Sequence, residues 1–299
     1  MSIKSEIRKF FEKVIKKVME KIGKHEEELN PVPGLEPSPT PSPSPSPTPD
    51  PGQTSFKPVS FPNPSLASCW EGSNAQTRHM NELSPGFTDK QVEERLDWAK
   101  NRGCNTVHWF VCNQGDGEKS GYSIYGKDPK PGSPDKSTVA LMANRIRMAA
   151  KRGMAVVLWL MADDSSRWNE TLLSNISGYV NDLKKSGLLD MASGVVLGLE
   201  MNEYIKSKSV AKKLADTVRK AYSGPIGTHH TSGSGEFAAY GDYLYWQMAP
   251  KQGTEAIKRS VKAAQAYGKP VIAFELERNP NRNSCNAAMA AGAKGVGNW

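Results

Sequence analysis

From about Phe56 to Trp299, short apolar runs alternate with stretches of helical periodicity, and this alternation constrains the fold more than any single motif. Strands are expected near Leu66 to Glu71, Asn105 to Cys112, Met154 to Met161, Gly194 to Glu203, Pro225 to His230, Tyr243 to Met248, Pro270 to Glu277 and Gly295 to Trp299. Helices are expected between them, over Thr88 to Asn101, Ser137 to Lys151, Glu170 to Lys185, Ser207 to Tyr222, Thr254 to Tyr267 and Ser284 to Ala291. Only the connection after His230, SGSGEFAAYG, is too short for a full helix. Eight strands alternating with helices predict an α/β fold, a (β/α)8 TIM barrel, with its working groups at the C-terminal strand ends. An open doubly wound sheet would call for a GxGxxG or P-loop signature, and the chain has neither.

Two of these strands finish on carboxylates. VVLGLEMNEY, Val195 to Tyr204, is an apolar run suited to a strand buried on both faces, and it closes on Asn202-Glu203. Pro270 to Glu275, PVIAFE, has the same shape. Two glutamates delivered to one mouth can supply the proton donor and the nucleophile or base that glycosidic bond cleavage requires. Either glutamate alone could equally end its strand in solvent. Glu277, two residues beyond Glu275, points to the same side and is the reserve candidate. Adjacent residues on a regular strand face opposite ways, so Asn202 and Glu203 can serve one pocket only if the strand bulges or ends there.

Upstream of the barrel the character of the chain changes twice. Ile3, Ile7, Phe10, Phe11, Val14, Ile15, Val18, Met19 and Ile22 recur at helical spacing, so residues 1–30 are expected to hold an amphipathic helix. Its stripe is too broad for a strict coiled-coil seam, and docking onto itself or another protein is favoured over lying on a membrane. Residues 31–55 alternate Pro with Ser or Thr and have no core-forming pattern, which predicts an extended spacer. A net charge of +8 would suit anionic partners, but no zinc-finger spacing, RNA-binding aromatic signature or dense basic block accompanies it, so nucleic acid is not expected. Cys69, Cys104, Cys112 and Cys285 lack CxxC spacing and read as free thiols; no metal site and no cofactor are expected. No apolar run has the length of a membrane span, and the N-terminus has no signal-peptide apolar region, which leaves localisation open and suggests assembly into a larger particle or surface complex.

GLEMNEY resembles the fourth-strand signature of the retaining glycoside hydrolases of clan A, particularly the cellulase-like family 5, and KPVIAFE resembles their seventh-strand signature. The resemblance covers the body from about Leu66 to Trp299 and places both motifs on the expected strands. It implies a retaining double displacement in which Glu203 is the acid/base, Glu275 the nucleophile, and Asn202 a hydrogen-bonding partner of the sugar 2-hydroxyl. The two carboxyls should then lie about 5 to 5.5 Å apart. Two positions depart from the family pattern: His108 stands where an Arg usually accompanies the nucleophile, and Leu160-Met161-Ala162-Asp163 replaces a third-strand His.

The aromatic residues point to the same ligand class. Tryptophan has a flat apolar face and one N–H donor, which suits stacking on a pyranose ring. Trp109 and Trp159 read as barrel filling, whereas Trp246 and Trp299, near strand ends, are expected to bind sugar, Trp299 resembling the eighth-strand aromatic of the clan. Trp70, His108, His230, Tyr245 and Glu277 complete the expected substrate-binding set, with His229 and Gln247 at the rim. No eighth helix is expected after Trp299, and the apolar flank so created would be covered by Phe56 to Pro64, by a partner, or by the N-terminal helix. Two functions remain: a glycoside hydrolase acting on polysaccharide or glycoconjugate and tethered by its N-terminal helix, or a non-catalytic glycan-binding barrel for adhesion or display, including on a virus particle.

Overall fold

The computed structural model describes residues 56–63, 65–66, 81–113, 122–126, 130–161, 166–205, 207–231, 233–248, 253–276 and 282–297. The expected N-terminal helix and spacer, Trp70, Glu277, Trp299 and Cys69 lie outside the described residues. In chain order the elements are β1 (Ser65–Leu66), α1 (Asp89–Asn101), β2 (Thr106–Phe110), β3 (Cys112–Asn113), β4 (Tyr122–Ser123), α2 (Lys136–Lys151), β5 (Ala155–Trp159), α3 (Ser166–Ser174), α4 (Ile176–Lys185), α5 (Leu188–Met191), β6 (Gly194–Val196) and α6 (Met201–Tyr204). They continue with α7 (Lys208–Ala221), β7 (Ile226–His230), a 3-10 turn at Ala238–Tyr240, β8 (Tyr243–Gln247), α8 (Thr254–Gln265), β9 (Val271–Phe274), α9 (Arg282–Ala290) and β10 (Gly295–Val296).

Eight of these strands form one parallel sheet in the order β1-β10-β9-β8-β7-β6-β5-β2, and β3 and β4 form a separate hairpin in the connection after β2. The sheet is rolled. His108 on β2 and Phe274 on β9 stand five places apart in the strand order, about 24 Å in a flat sheet at the usual strand spacing. Their ring centroids are 4.9 Å apart, so these side chains meet across the inside of a barrel. Trp159, His229 and Tyr245 complete this inner layer, with Trp159 stacked 5.1 Å from Phe274 and 5.2 Å from His229. Glycines make room for the large rings. A Cβ on Gly227 would sit 2.5 Å from the Tyr245 ring, and one on Gly297 would sit 2.2 Å from that of Phe274.

At the rolled edges, the Ser65 hydroxyl donates to Thr106 Oγ1 at 2.9 Å in a buried contact between β1 and β2. Phe61 packs edge-on against Tyr243 and reaches the start of β6 near Gly194, so the segment before β1 stoppers the N-terminal end of the barrel. That is a different place from the flank it was offered to cover.

The helices begin where the sequence gives their backbone donors a partner. Thr88 and Gln91 form a reciprocal capping box on α1, and Asp135 caps α2 by accepting from Thr138 N–H at 2.7 Å. Helical spacing then buries Val92, Leu96 and Ala99 of α1, and Leu214 and Val218 of α7, against the strands. The single helix expected over Glu170 to Lys185 is two, divided at Asn175, whose side chain accepts from Gly178 N–H and starts α4.

Two buried charged residues organise the loops above the barrel. Arg145, 1% exposed, donates to the carbonyls of Glu82, Ser84 and Phe87 and pairs with Asp89, fixing the approach to α1. Asp182 accepts from the Tyr125 hydroxyl at 2.9 Å and from Gly132 N–H at 2.6 Å, tying the loop after β2 to α4. Cys104, Cys112 and Cys285 are buried.

Candidate active site

The C-terminal end of β9 carries Glu275 directly after the last strand residue. Its side chain is only 9% exposed. Gln247, paired with Phe274 in the β8–β9 register, donates Nε2–H to Glu275 Oε2 at 2.7 Å. On the other side, His229 Nε2 lies 3.8 Å from Glu275 Oε1. The carboxylate therefore sits between nitrogens from the fifth and sixth barrel strands, and its backbone is in the left-handed region at φ 52°.

Past β6 the chain behaves differently. The backbone keeps company with its neighbours for three residues, Leu197 N–H donating to Gly227 O and Leu199 N–H to Met161 O. It then turns at Glu200, φ 44°, into the single helical turn α6. The strand thus ends before Asn202 and Glu203, the condition under which both can serve one side. Asn202 is clamped to the end of β7, donating to Thr231 Oγ1 at 2.6 Å and accepting from Thr231 N–H at 3.0 Å. Glu203 is exposed on the same turn. Glu200, which the sequence reading passed over, is half-buried, and its N–H donates to His229 Nδ1 at 2.8 Å.

His229 and His230 part company, because neighbours on a strand face opposite ways. His229 points into the barrel with Trp159 and Phe274. His230 points outward, stacking beside Phe237 and accepting its N–H, and is corrected from a rim residue to part of the outer packing. Trp246 is corrected in the same way: it pairs with His230 in the strand register, is 4% exposed, donates its indole N–H to Ser260 of α8 at 3.0 Å and lies beside Tyr267. Its indole is spent on helix packing. Tyr245, 2% exposed, fills the inner layer rather than the rim.

His108 is inside the barrel, 3% exposed, with Nδ1 accepting the Trp159 indole N–H at 3.0 Å. Burial pushes it down to about 3, pushes His230 down to about 4 and holds His229 well below its ordinary value, so all three rings are neutral at pH 7. With Nδ1 accepting in both His108 and His229, each neutral ring carries its proton on Nε2. Among the described residues no group of three or more His, Cys, Asp or Glu is arranged to hold a metal, and no helix is long and apolar enough to cross a membrane.

No protein-family model and no curated protein matches the chain in sequence. Solved structures do match in three dimensions. An exo-β-1,4-mannosidase from Opitutaceae bacterium strain TAV5 is similar with a TM-score of 0.58 at 15% identity, over 82% of this chain and 53% of that one. A family 5 glycoside hydrolase from Bacteroides vulgatus gives 0.56 at 18% identity, over 78% and 57%. GH5_18 from Streptomyces cattleya, solved in complex with GlcNAc, gives 0.58 at 15%, over 80% and 71%. The fold is similar to that of the family 5 glycoside hydrolases. The likeness bears out the (β/α)8 barrel fold, and the chain spans about half the length of the first two structures.

Proposed function

We propose that this barrel is a retaining glycoside hydrolase acting on a polysaccharide or glycoconjugate. The observation that carries the reading is Glu275: a carboxylate at the tip of the seventh barrel strand, oriented by Gln247 and flanked by His229, at the end of the barrel where this fold does its chemistry. In the proposed cycle Glu275 attacks the anomeric carbon while Glu203 protonates the departing oxygen; Glu203 then takes a proton from water as the glycosyl ester is hydrolysed. The Asn202–Thr231 clamp supports the turn that carries Glu203 from the fifth strand. Asn202 engages Thr231 through one Nδ2–H and through Oδ1, and the second N–H of its amide is the one that would meet a sugar 2-hydroxyl. Residues 1–30 act as a docking or oligomerising helix, and 31–55 as the spacer that lets the barrel reach its substrate.

The test is hydrolysis of aryl β-glycosides and a panel of polysaccharides, scored by released phenolate and by new reducing ends. Turnover that E275Q abolishes supports the reading. Glycan binding without turnover would support the second one, a non-catalytic adhesion barrel, which the exposure of Glu203 favours because a proton donor gains from a sheltered site.

A further inference from the structure

Among the described residues, Glu200 and Glu275 are the non-glycine residues with backbones in the left-handed region, at φ 44° and 52°, and they adjoin opposite edges of one imidazole ring. Left-handed geometry is unfavourable for a residue with a side chain and persists where surrounding contacts over-determine it. Here the shared contact is His229: Nδ1 takes the Glu200 N–H at 2.8 Å, and Nε2 stands 3.8 Å from Glu275 Oε1. We propose that His229 is a positioning residue that joins the two carboxylate-bearing strand ends, holding the turn after β6 through Nδ1 and presenting a neutral N–H to Glu275 through Nε2.

The tautomer follows from the geometry. A backbone N–H can only donate, so Nδ1 is the acceptor and the proton is on Nε2, toward the carboxylate. The ring is fully buried, and among the described residues it is faced by Trp159 on β5, His108 on β2, Tyr245 on β8, Phe274 and Glu275 on β9, His230 beside it on β7, and Glu200 on the turn after β6. Burial and the two neighbouring histidines oppose a positive charge there, so the ring works as a fixed dipole rather than a cation. From the described residues Glu275 thus faces Gln247 at hydrogen-bond distance on Oε2 and His229 just beyond that distance on Oε1. The family pattern points to His108 for the group beside Glu275; the structure puts His229, from a different strand, there.

The proposal rests on Glu275 as the working carboxylate, and its test needs no turnover. Nitrogen-15 spectra of the wild-type protein, with the His229 signals identified by their loss in H229Q, should show a bare Nδ1 and a protonated Nε2 at pH 7. Carbon-13 titration of glutamate carboxyls, with Glu275 identified by its loss in E275Q, should show the Glu275 midpoint rising by about half a unit or more in H229N, whose amide reaches Glu200 but stops short of Glu275. H229Q, which restores an N–H near the Nε2 position, should return the midpoint toward wild type. A protonated Nδ1, or a midpoint that does not move in folded H229N, overturns the proposal; if H229N does not fold, the wild-type tautomer and the H229Q midpoint decide it. Parallel assays with 4-nitrophenyl β-glucoside and β-mannoside separate this result from the enzymatic reading. A wild type with the expected tautomer and midpoints that binds glycans but cleaves none would leave the positioning role standing and remove the hydrolase.

Discussion

The ends of β9 and β6 bring carboxylates to the same end of the barrel by opposite means. Glu275 is attached directly to its strand, nearly buried, and held from neighbouring strands. Glu203 is seven residues beyond its strand's last ladder residue, exposed, on a single helical turn that is tied to β7 by the Asn202–Thr231 pair and by the Glu200 N–H to His229. The difference is one of attachment. A nucleophile must be fixed relative to the anomeric carbon to within a fraction of an ångström, whereas a proton donor can be brought up by a short adjustable turn.

The largest expected effect tests the directly attached side. E275Q should lower kcat on the order of 10^4-fold or more for every substrate, activated or not, with binding of a non-hydrolysed oligosaccharide retained by calorimetry. E203Q should cost about 10^2- to 10^4-fold on substrates with poor leaving groups and far less on dinitrophenyl glycosides. Running E200Q beside it sharpens the comparison, because Glu200 is the less exposed carboxylate of that turn; if E200Q rather than E203Q shows the leaving-group dependence, the acid sits at the start of the turn.

Acid titration compares the two sides through stability. His108, His229 and His230 are depressed in the folded protein below the ordinary value near 6.5, so the unfolded chain binds more protons as pH falls. Their stabilising contribution is complete above about pH 6.5 and is lost toward the folded values, at up to about 1.4 kcal/mol per pH unit for each ring. Denaturant melts between pH 7 and 4.5 should show this slope, and H230Q should reduce it by close to one proton. A flat profile would mean that the rings are not buried as described. The smallest effect belongs to the adjustable turn: N202A should lose about 1–2 kcal/mol in the same melts by releasing Thr231, and T231V a comparable amount.

Much of the barrel was legible because its signals are local. Thr88 and Asp135 announce the starts of α1 and α2, and apolar runs bounded by turn residues announce β5, β7 and β8. The end of β6 was not, since Val195 to Leu199 reads as continuous strand and the turn at Glu200 contains no glycine; its N–H is taken by a histidine twenty-nine residues away, a partner that no local pattern encodes. Strand facing was legible in principle. Period two forbids His229 and His230 from sharing a mouth, and the register then carries Trp246 outward with His230. Which of each pair turned inward depended on the roll of the sheet. Arg145 and Asp182 were missed because charged residues are ordinarily read as solvated, and only the loops they bind explain their burial.

We expect the Ser65–Thr106 contact to mark the weakest line of the barrel. Adjacent strands elsewhere in the sheet are joined by backbone ladders, whereas among the described residues β1 and β2 meet through a pair of hydroxyls. A ribbon closed by such a clasp should breathe there first, opening like a cuff between β1 and β2 before any ladder parts. Amide exchange in β2 should accordingly outpace exchange in β7 and β8, and cutting the chain open between β1 and β2 and joining its old ends should disturb the molecule less than the same surgery at any other strand pair.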